Sequence, residues 1–229
     1  MVERAQVMVV TAHPDDAEFG AAGTVARWAR GGMNIVYVVC SSGDKGTSDR
    51  HMNPVELTRV REQEQRDAAN LLGVKDVVFL NYIDQALEDT PEFRKDIVRQ
   101  IRRYQPEIVM AADPYRRYIW HRDHRISGQV TLDAVFPYAR DHLAYPDLLE
   151  EGLEPHKVRE VWLWGTEDPN HRSDITDTFD IKLAALRCHK SQVGDFAGLE
   201  PWLRQRARQM AEGTDFELAE AFHRVEIWW

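Results

Sequence analysis

A histidine and two adjacent carboxylates follow an apolar run near the start of the chain. The segment AHPDD places His13, Asp15 and Asp16 directly after MVVT, a run that is typical of a buried strand. His13 and Asp16 are spaced to converge on one ion while Asp15 points elsewhere, and imidazole and carboxylate both bind zinc. A turn in which Pro14 ends the strand and Asp16 caps the next helix explains part of the same segment. Both interpretations stay open at this point.

A second polar cluster, HRDH, occupies residues 121–124. His121 and His124 can share one helical face, whereas Asp123 faces sideways. The helix dipole favours an acidic residue in a first turn, which explains Asp123 but not the two histidines. A catalytic zinc site has three protein ligands and an open position for water. His13, Asp16 and one histidine of HRDH supply that number.

Three side chains of the two clusters remain for proton transfer. Asp15, His121 and Asp123 suit the roles of general base, of acid or oxyanion partner, and of a carboxylate that orients an imidazole. Both clusters follow apolar runs, and in an open parallel sheet ligands bind at the edge where the strands end. The two clusters together predict a metal site at that edge.

One charged pair falls on the apolar face of a predicted helix over residues 54–72. Arg61 and Glu64 lie within a stripe that includes Leu57, Val60, Ala68 and Leu71. A charged pair that faces inward costs free energy unless it is satisfied. An internal ion pair that supports the loop above is one interpretation, and contact between Arg61 and a polar substrate group is another.

The elements that must position these residues alternate between short apolar runs and amphipathic segments. The five runs are QVMVVTA, NIVYVVCSS, DVVFLNY, EIVMAAD and EVWLWG. Nearly continuous apolar runs are typical of strands covered on both faces, so the pattern predicts a doubly wound, mostly parallel α/β sheet in the order 3-2-1-4-5. One helix should end at Gly31, and another should begin after Asn53 and end at Gly73.

The later part of the chain is less regular. The pattern predicts a helix over 121–136, a long loop over 138–160, a helix over 177–190, and two helices with a short strand over 199–229. Neither a repeat nor a Gly/Ser linker interrupts the sequence, which indicates one domain over 1–229.

Composition narrows the class of protein. The chain has 229 residues, 43% of them hydrophobic, a formal net charge of −9 and two cysteines. A negative chain is a poor partner for nucleic acid or anionic membranes, and no apolar run is long enough to span a bilayer. The two cysteines fit a reducing compartment, so we expect a cytoplasmic protein. No dinucleotide-binding, Walker A or G-x-S-x-G motif is present.

AHPDD, the nearby Gly20-to-Thr24 segment and HRDH together resemble the LmbE-like, or PIG-L-type, N-acetylglucosaminyl deacetylases. The resemblance runs along most of the chain. Its other matching parts are Ser42-Gly43-Asp44, the E-L-x-x-x-R-x-x-E helix pattern that starts at Glu56, Asp84 after the third strand, and His189-Lys190-Ser191-Gln192.

The resemblance implies a Rossmann-like, zinc-dependent deacetylase that acts on N-acetylglucosamine attached to another group. It implies zinc ligands at His13, Asp16 and His124, and a general base at Asp15. It further implies that His121, paired with Asp123, is an imidazolium that stabilises the oxyanion. Substrate contacts are expected at Arg61, Asp84 and Asp44. Fe²⁺ or another divalent metal suits the same ligands, and a homo-oligomer is expected because the family commonly assembles.

Two alternatives stay open beside this function. One is a metal-dependent amidohydrolase with a non-sugar substrate, and the other is a catalytically silent sugar- or nucleotide-binding protein. The chain also departs from the family pattern, with Arg122 where proline is frequent and with Asn81 and Gln85 where glycine is common. These departures leave the aglycone open among inositol, malate, another sugar or an antibiotic scaffold, and we expect the 138–160 loop to decide.

Overall fold

A computed structural model describes residues 4–194 and 196–228 of the chain. Strands within those ranges form one sheet in the order β3-β2-β1-β4-β5-β7-β6. Strands β1 to β5 are parallel, and β7 runs antiparallel to β5 and β6. The strands are β1 (Val7–Thr11), β2 (Ile35–Ser41), β3 (Asp76–Tyr82), β4 (Ile108–Ala112), β5 (Glu160–Trp164), β6 (His171–Asp174) and β7 (Ala219–Glu226). The predicted order 3-2-1-4-5 is confirmed.

Helices cover both faces of the sheet. They are α1 (Asp16–Arg30), α2 (Pro54–Leu72), α3 (Pro91–Tyr104), α4 (Arg122–Asp133), α5 (Asp147–Glu150), α6 (Phe179–Cys188), α7 (Lys190–Val193) and α8 (Leu199–Ala211). In the described ranges, none of them is both long and apolar enough to cross a membrane. The predicted limits of α2 are confirmed, because Asn53 accepts the Glu56 N–H and Gly73 ends the helix at φ 79°.

Two apolar layers sandwich the sheet. Alternate residues of β1 divide between them: Met8 and Val10 pack toward α3 and α4, whereas Val7 and Val9 pack toward α1 and α2. Helix α4 lies close to β4 at Gly128, where a Cβ atom would be 2.3 Å from the Ala112 oxygen. The HRDH segment at the start of α4 is therefore held beside the end of β4.

Three sequence predictions are wrong in detail. Asp15, not Asp16, is the N-cap of α1, and Asp16 is already helical. The helix predicted over 121–136 ends at Asp133, because the residue before Pro137 is restricted and Phe136 is extended. The C-terminal segment has one helix and a long strand in place of two helices and a short strand. Strand β6 is polar and was not predicted, since pairing with β7 rather than an apolar pattern fixes it.

Candidate active site

The loop between β1 and α1 aims AHPDD at the carboxyl edge of the sheet. Asp15 has a left-handed backbone with φ 90°, which is uncommon for a residue other than glycine. Its N–H donates to the side-chain oxygen of Gln65 at 3.2 Å. The Asp16 carboxylate turns back and accepts the His13 N–H at 2.9 Å. The turn thus separates the carboxylates of Asp15 and Asp16.

His13, Asp16 and His124 meet at one point. Oδ2 of Asp16 lies 3.4 Å from Nδ1 of His13, and Oδ1 of Asp16 lies 3.0 Å from Nε2 of His124. The centroids of the two imidazole rings are 5.5 Å apart. Two nitrogens and a carboxylate in this proximity are a donor set that suits zinc.

The other ring nitrogen of His13 faces two more carboxylates. Nε2 lies 3.0 Å from Oδ1 of Asp84 and 3.2 Å from Oδ2 of Asp123, and all three side chains are buried. Metal-binding histidines characteristically donate their second N–H to a carboxylate in this way. The residues therefore fit a metal ion bound through Nδ1 of His13.

Within the part of the chain that the structure describes, two groups of three side chains have ligand atoms within 4.8 Å of one another, and both contain His13. One consists of His13, His121 and His124, and the other of His13, Asp84 and Asp123. The second group is fully buried and is already joined by hydrogen bonds to His13. The first group borders the partly exposed side, which an ion and a substrate can reach. This group contains His124 but has His121 in place of Asp16, so the predicted ligand set of His13, Asp16 and His124 stays a prediction.

Uncompensated negative charge surrounds His13. Burial opposes its protonation, but hydrogen bonds with Asp123, Asp16 and Asp84 outweigh burial and raise the pKa of His13 to about 11. Burial also opposes ionisation of Asp16, yet His124 and His13 hold the pKa of Asp16 well below its usual value. The surroundings of His13 and Asp16 therefore favour a positive charge, which a divalent ion can supply in place of the proton on His13.

Asp15 has the opposite electrostatic environment. Burial first, and the negative charge of Asp16 second, raise the pKa of its carboxyl to about 7, although Arg61 acts against both. The nearest Arg61 nitrogen is 3.5 Å from Oδ2. A carboxyl with such a pKa can accept and return a proton near neutral pH.

His121 is arranged differently from the sequence prediction. Its Nδ1 atom accepts the backbone N–H of Asp123 at 3.2 Å, while the Asp123 carboxylate contacts His13 and accepts the Gln85 N–H at 2.7 Å. The predicted pairing of His121 with the Asp123 carboxylate is therefore wrong. Burial, then the nearby His13 and His124, lower the pKa of His121. The neutral ring, with its proton on Nε2, is favoured.

Arg61 is a buried clamp between two loops. Its guanidinium donates to the Gly43 oxygen at 2.9 Å and to the Pro14 oxygen at 2.8 Å. Glu64 does not pair with it, because its carboxylate accepts the N–H and the hydroxyl of Ser191 at 2.8 and 2.6 Å. The internal Arg61–Glu64 ion pair is thus absent. Arg61 ties α2 to the loops after β1 and β2, and Glu64 ties it to α7.

Asp84 and Asp44 lie behind His13. Besides the His13 ring, the Asp84 carboxylate accepts the Lys45 N–H at 3.1 Å, and Oδ1 of Asp44 accepts the Asp84 N–H at 3.1 Å. Burial opposes the charge of Asp84, but its contact with His13 lowers its pKa to about 2. The substrate contacts expected of Arg61, Asp84 and Asp44 stay predictions.

A buried chain of polar side chains behind Asp15 is absent from the sequence prediction. Gln65 accepts from the Asp15 N–H and donates to Oε1 of Glu18 at 2.9 Å. Oε2 of Glu18 lies 3.3 Å from Nε2 of His189, and neither side chain is exposed. The available signal was the position of Gln65, four residues after Arg61 and on the same face of α2. Val60 and Leu71, which were assigned to that face, are exposed.

Known proteins are similar to this chain in sequence and in overall structure. The diacetylchitobiose deacetylase of Thermococcus kodakarensis is 34% identical over 222 residues, or 96% of this chain and 83% of the relative. A probable N-acetyl-alpha-D-glucosaminyl L-malate deacetylase 2 of Bacillus anthracis is 28% identical over 199 residues, or 84% of this chain and 83% of the relative.

The N,N'-diacetylchitobiose deacetylase from Pyrococcus horikoshii, solved with its inhibitor MPG, is similar in structure. It has a TM-score of 0.92 and 34% identity, and the match covers 97% of this chain and 84% of that one. A profile of the PIG-L family, described as GlcNAc-PI de-N-acetylase, matches residues 8–135. This chain therefore belongs to the PIG-L family of de-N-acetylases.

Proposed function

We propose that this chain hydrolyses the acetamide of an N-acetylglucosamine-containing small molecule and releases acetate and a free amine. The observation that carries the proposal is the convergence of His13, Asp16 and His124 on one point, with the buried Asp15 carboxyl beside them. Relatives named for diacetylchitobiose and for N-acetylglucosaminyl malate have N-acetylglucosamine in common and differ in the rest of the molecule. The aglycone is open at this stage.

We propose zinc as the metal, held by Nδ1 of His13, the carboxylate of Asp16 and Nε2 of His124. The contacts of Asp16 with both histidines, at 3.4 and 3.0 Å, support this set. A divalent ion bound there supplies Lewis-acid polarisation of water and of the acetamide carbonyl. Because Fe²⁺ accepts the same donors, metal analysis of protein purified without added metal tests the identity of the ion.

Asp15 acts first as general base and then as general acid. Its carboxylate removes a proton from water as the water oxygen attacks the carbonyl carbon of the acetamide. The carboxyl then returns that proton to the nitrogen as the C–N bond breaks, so acetate and the amine leave. Its pKa near 7 lets the group serve in both directions at neutral pH.

His121 donates a hydrogen bond to the oxygen that becomes negative during the attack. Its Nδ1 atom is occupied by the Asp123 N–H, so the neutral ring presents an Nε2–H donor. A donor placed in advance at a developing charge is a major source of rate enhancement. Neutral imidazole replaces the imidazolium that was expected from the family resemblance.

Acetate release from a panel of N-acetylated compounds tests the proposal. The panel contains N-acetylglucosaminides with sugar, inositol and malate aglycones, together with N-acetylated amines that lack a sugar. We expect acetate from at least one glucosaminide, and release roughly 10²- to 10⁴-fold slower from Asp15→Asn. Release only from the non-sugar amides would indicate a metal-dependent amidohydrolase, and sugar binding without release would indicate a silent binding protein.

Two further sequence expectations stay predictions. A homo-oligomer is proposed from the family resemblance, and light scattering of the purified protein measures it. A cytoplasmic location is proposed from the composition and the two cysteines, and cell fractionation tests it.

A further inference from the structure

A cavity of about 290 Å³ opens beside the candidate metal ligands. Asp16 and His124 line one end of it. Its other walls include two arginines and a tryptophan close to each of them. We call these four residues the arginine pocket: Arg116, Trp120, Trp202 and Arg206. A group attached to a substrate whose acetamide reaches Asp16 and His124 can extend into this pocket.

Each arginine of the pocket lies over a tryptophan. The guanidinium carbon of Arg116 is 4.4 Å from the Trp120 ring centroid, and that of Arg206 is 5.9 Å from the Trp202 centroid. The Trp120 indole is itself fixed, because its N–H donates to the Asp113 oxygen at 3.1 Å. Stacking restrains the guanidinium planes and leaves their N–H edges available for hydrogen bonds.

The two guanidinium groups have no carboxylate within 4.0 Å among residues 4–194 and 196–228, in contrast to arginines close by in the sequence. Arg117 contacts Glu167 at 2.8 Å, and Arg204 contacts Glu200 at 3.3 Å. Arg116 is half-buried and Arg206 is exposed at the rim. Partial burial, and then the like charge of Arg116, lower the pKa of Arg206. Two cations that repel one another gain from an anion bound between them.

The acidic residues of the cavity are already engaged. Asp16 contacts His13 and His124. Glu220 lies 2.6 Å from the Lys182 ammonium and accepts the Thr24 hydroxyl at 2.6 Å. Neither carboxylate is therefore available to neutralise the two arginines.

We propose that the arginine pocket binds the aglycone of the substrate and selects one that carries an anionic group, a carboxylate or a phosphate. The inference rests on the proposed deacetylase function and adds a substrate class to it. Paired N–H donors of a guanidinium match two oxygens of either group, and the tryptophan faces cover its carbon skeleton. The neutral sugar and its acetamide remain at the metal end of the cavity.

The test compares kcat/KM for three N-acetylglucosaminides of similar size, whose aglycones end in a hydroxyl, a carboxylate or a phosphate. We expect the better anionic substrate to exceed the neutral one by roughly 10- to 100-fold, because charge-assisted hydrogen bonds account for that range. Arg116→Gln and Arg206→Gln should each remove most of this preference, because each should lower kcat/KM for the anionic substrates more than for the neutral one. The ratio between the carboxylate and phosphate substrates identifies which anion the pocket prefers.

Arg208→Gln is the matched control, since Arg208 lies on α8 with Arg206, is exposed and does not line the cavity. It removes the same charge and should leave the preference intact. Equal rates for neutral and anionic substrates, or equal losses for both in the arginine variants, would overturn the pocket assignment while the deacetylase function stands. Absence of acetate from all three substrates would overturn the deacetylase function and this inference with it. Thermal unfolding of each variant checks that the variant is folded, so that a loss of rate is not caused by unfolding.

Discussion

The Asp123 carboxylate lies 3.2 Å from Nε2 of His13, although 110 residues separate the two in sequence. The contact joins the first polar cluster to the second, since one supplies the candidate ligand and the other fixes its ring. It also explains why the central acid of HRDH is completely buried between two more accessible histidines. We infer that Asp123 acts on the metal through His13.

Asp123→Ala should weaken zinc binding by about 10- to 100-fold, the usual cost of losing the carboxylate behind a ligating histidine. Competition with a chromogenic chelator measures the affinity. Asp215→Ala is the control, because that aspartate is exposed and belongs to neither candidate ligand group. Unchanged affinity in Asp123→Ala would show that Asp84 alone orients His13.

Removal of a candidate ligand should abolish stoichiometric metal binding. We expect His13→Ala and His124→Ala to be purified with far less than one zinc per chain, because only two of three protein donors remain. His51→Ala, which removes an exposed histidine, should retain the metal. Elemental analysis after desalting gives the stoichiometry. Full occupancy in either ligand variant would contradict the assigned set.

Asp15→Asn should retain the metal and lose roughly 10²- to 10⁴-fold in kcat, the range for removal of a general acid–base group. The amide is nearly the same size as the carboxyl but does not accept the proton of the attacking water. Rates and metal content measured on the same sample separate catalysis from binding. A rate within threefold of wild type would exclude Asp15 as the base.

The same substitution should stabilise the chelator-treated protein at alkaline pH. Folding raises the pKa of Asp15 from 3.8 to about 7, chiefly through burial. Its stability contribution is therefore complete below pH 3.8 and is lost as the pH rises through 7. Asp15→Asn avoids that loss, so its melting temperature should exceed that of wild type at about pH 8 and not at about pH 4. An equal difference at both pH values would contradict the titration of Asp15.

Gly43→Ala should destabilise the protein more than Gly152→Ala. Both glycines have positive φ, 67° and 75°, so an alanine at either should cost about 1–2 kcal/mol. A Cβ at Gly43 would also lie 2.1 Å from the Arg61 guanidinium, whereas nothing lies within 4 Å at Gly152. Displacement of Arg61 should lower kcat as well, since it also contacts the Pro14 oxygen. Denaturant unfolding and rate measurements compare the pair, and equal losses would exclude the clamp.

Local signals made much of the fold predictable. Helix α2 could be delimited because its capping residues, Asn53 and Gly73, act within one turn of each end. Strand β6 could not be predicted in this way, and the sequence predicts β7 only as a short strand. His171–Asp174 is a polar segment that becomes a strand only because β7 lies beside it. Pairing between distant segments overrides local preference.

The candidate ligands could be predicted because the carboxyl ends of parallel strands meet at one edge. That rule brings AHPDD and HRDH together without specifying which atoms touch. The Asp123 carboxylate pairs with His13 rather than with His121. This choice depends on side-chain rotamers and on the hydrogen bond that the carboxylate accepts from the Gln85 N–H. The support that Gln65 gives to Asp15 depends likewise on the packing of α2 against the loop.

The left-handed backbone of Asp15 lowers the stability of the chain at a residue of the candidate site. At φ 90° any side chain beyond hydrogen is penalised, and this side chain is also one whose charge the surroundings resist. Glycine at this position would remove both the backbone penalty and the unfavourable buried charge. The presence of an aspartate rather than a glycine at this strained position is in keeping with the general-base role proposed for Asp15.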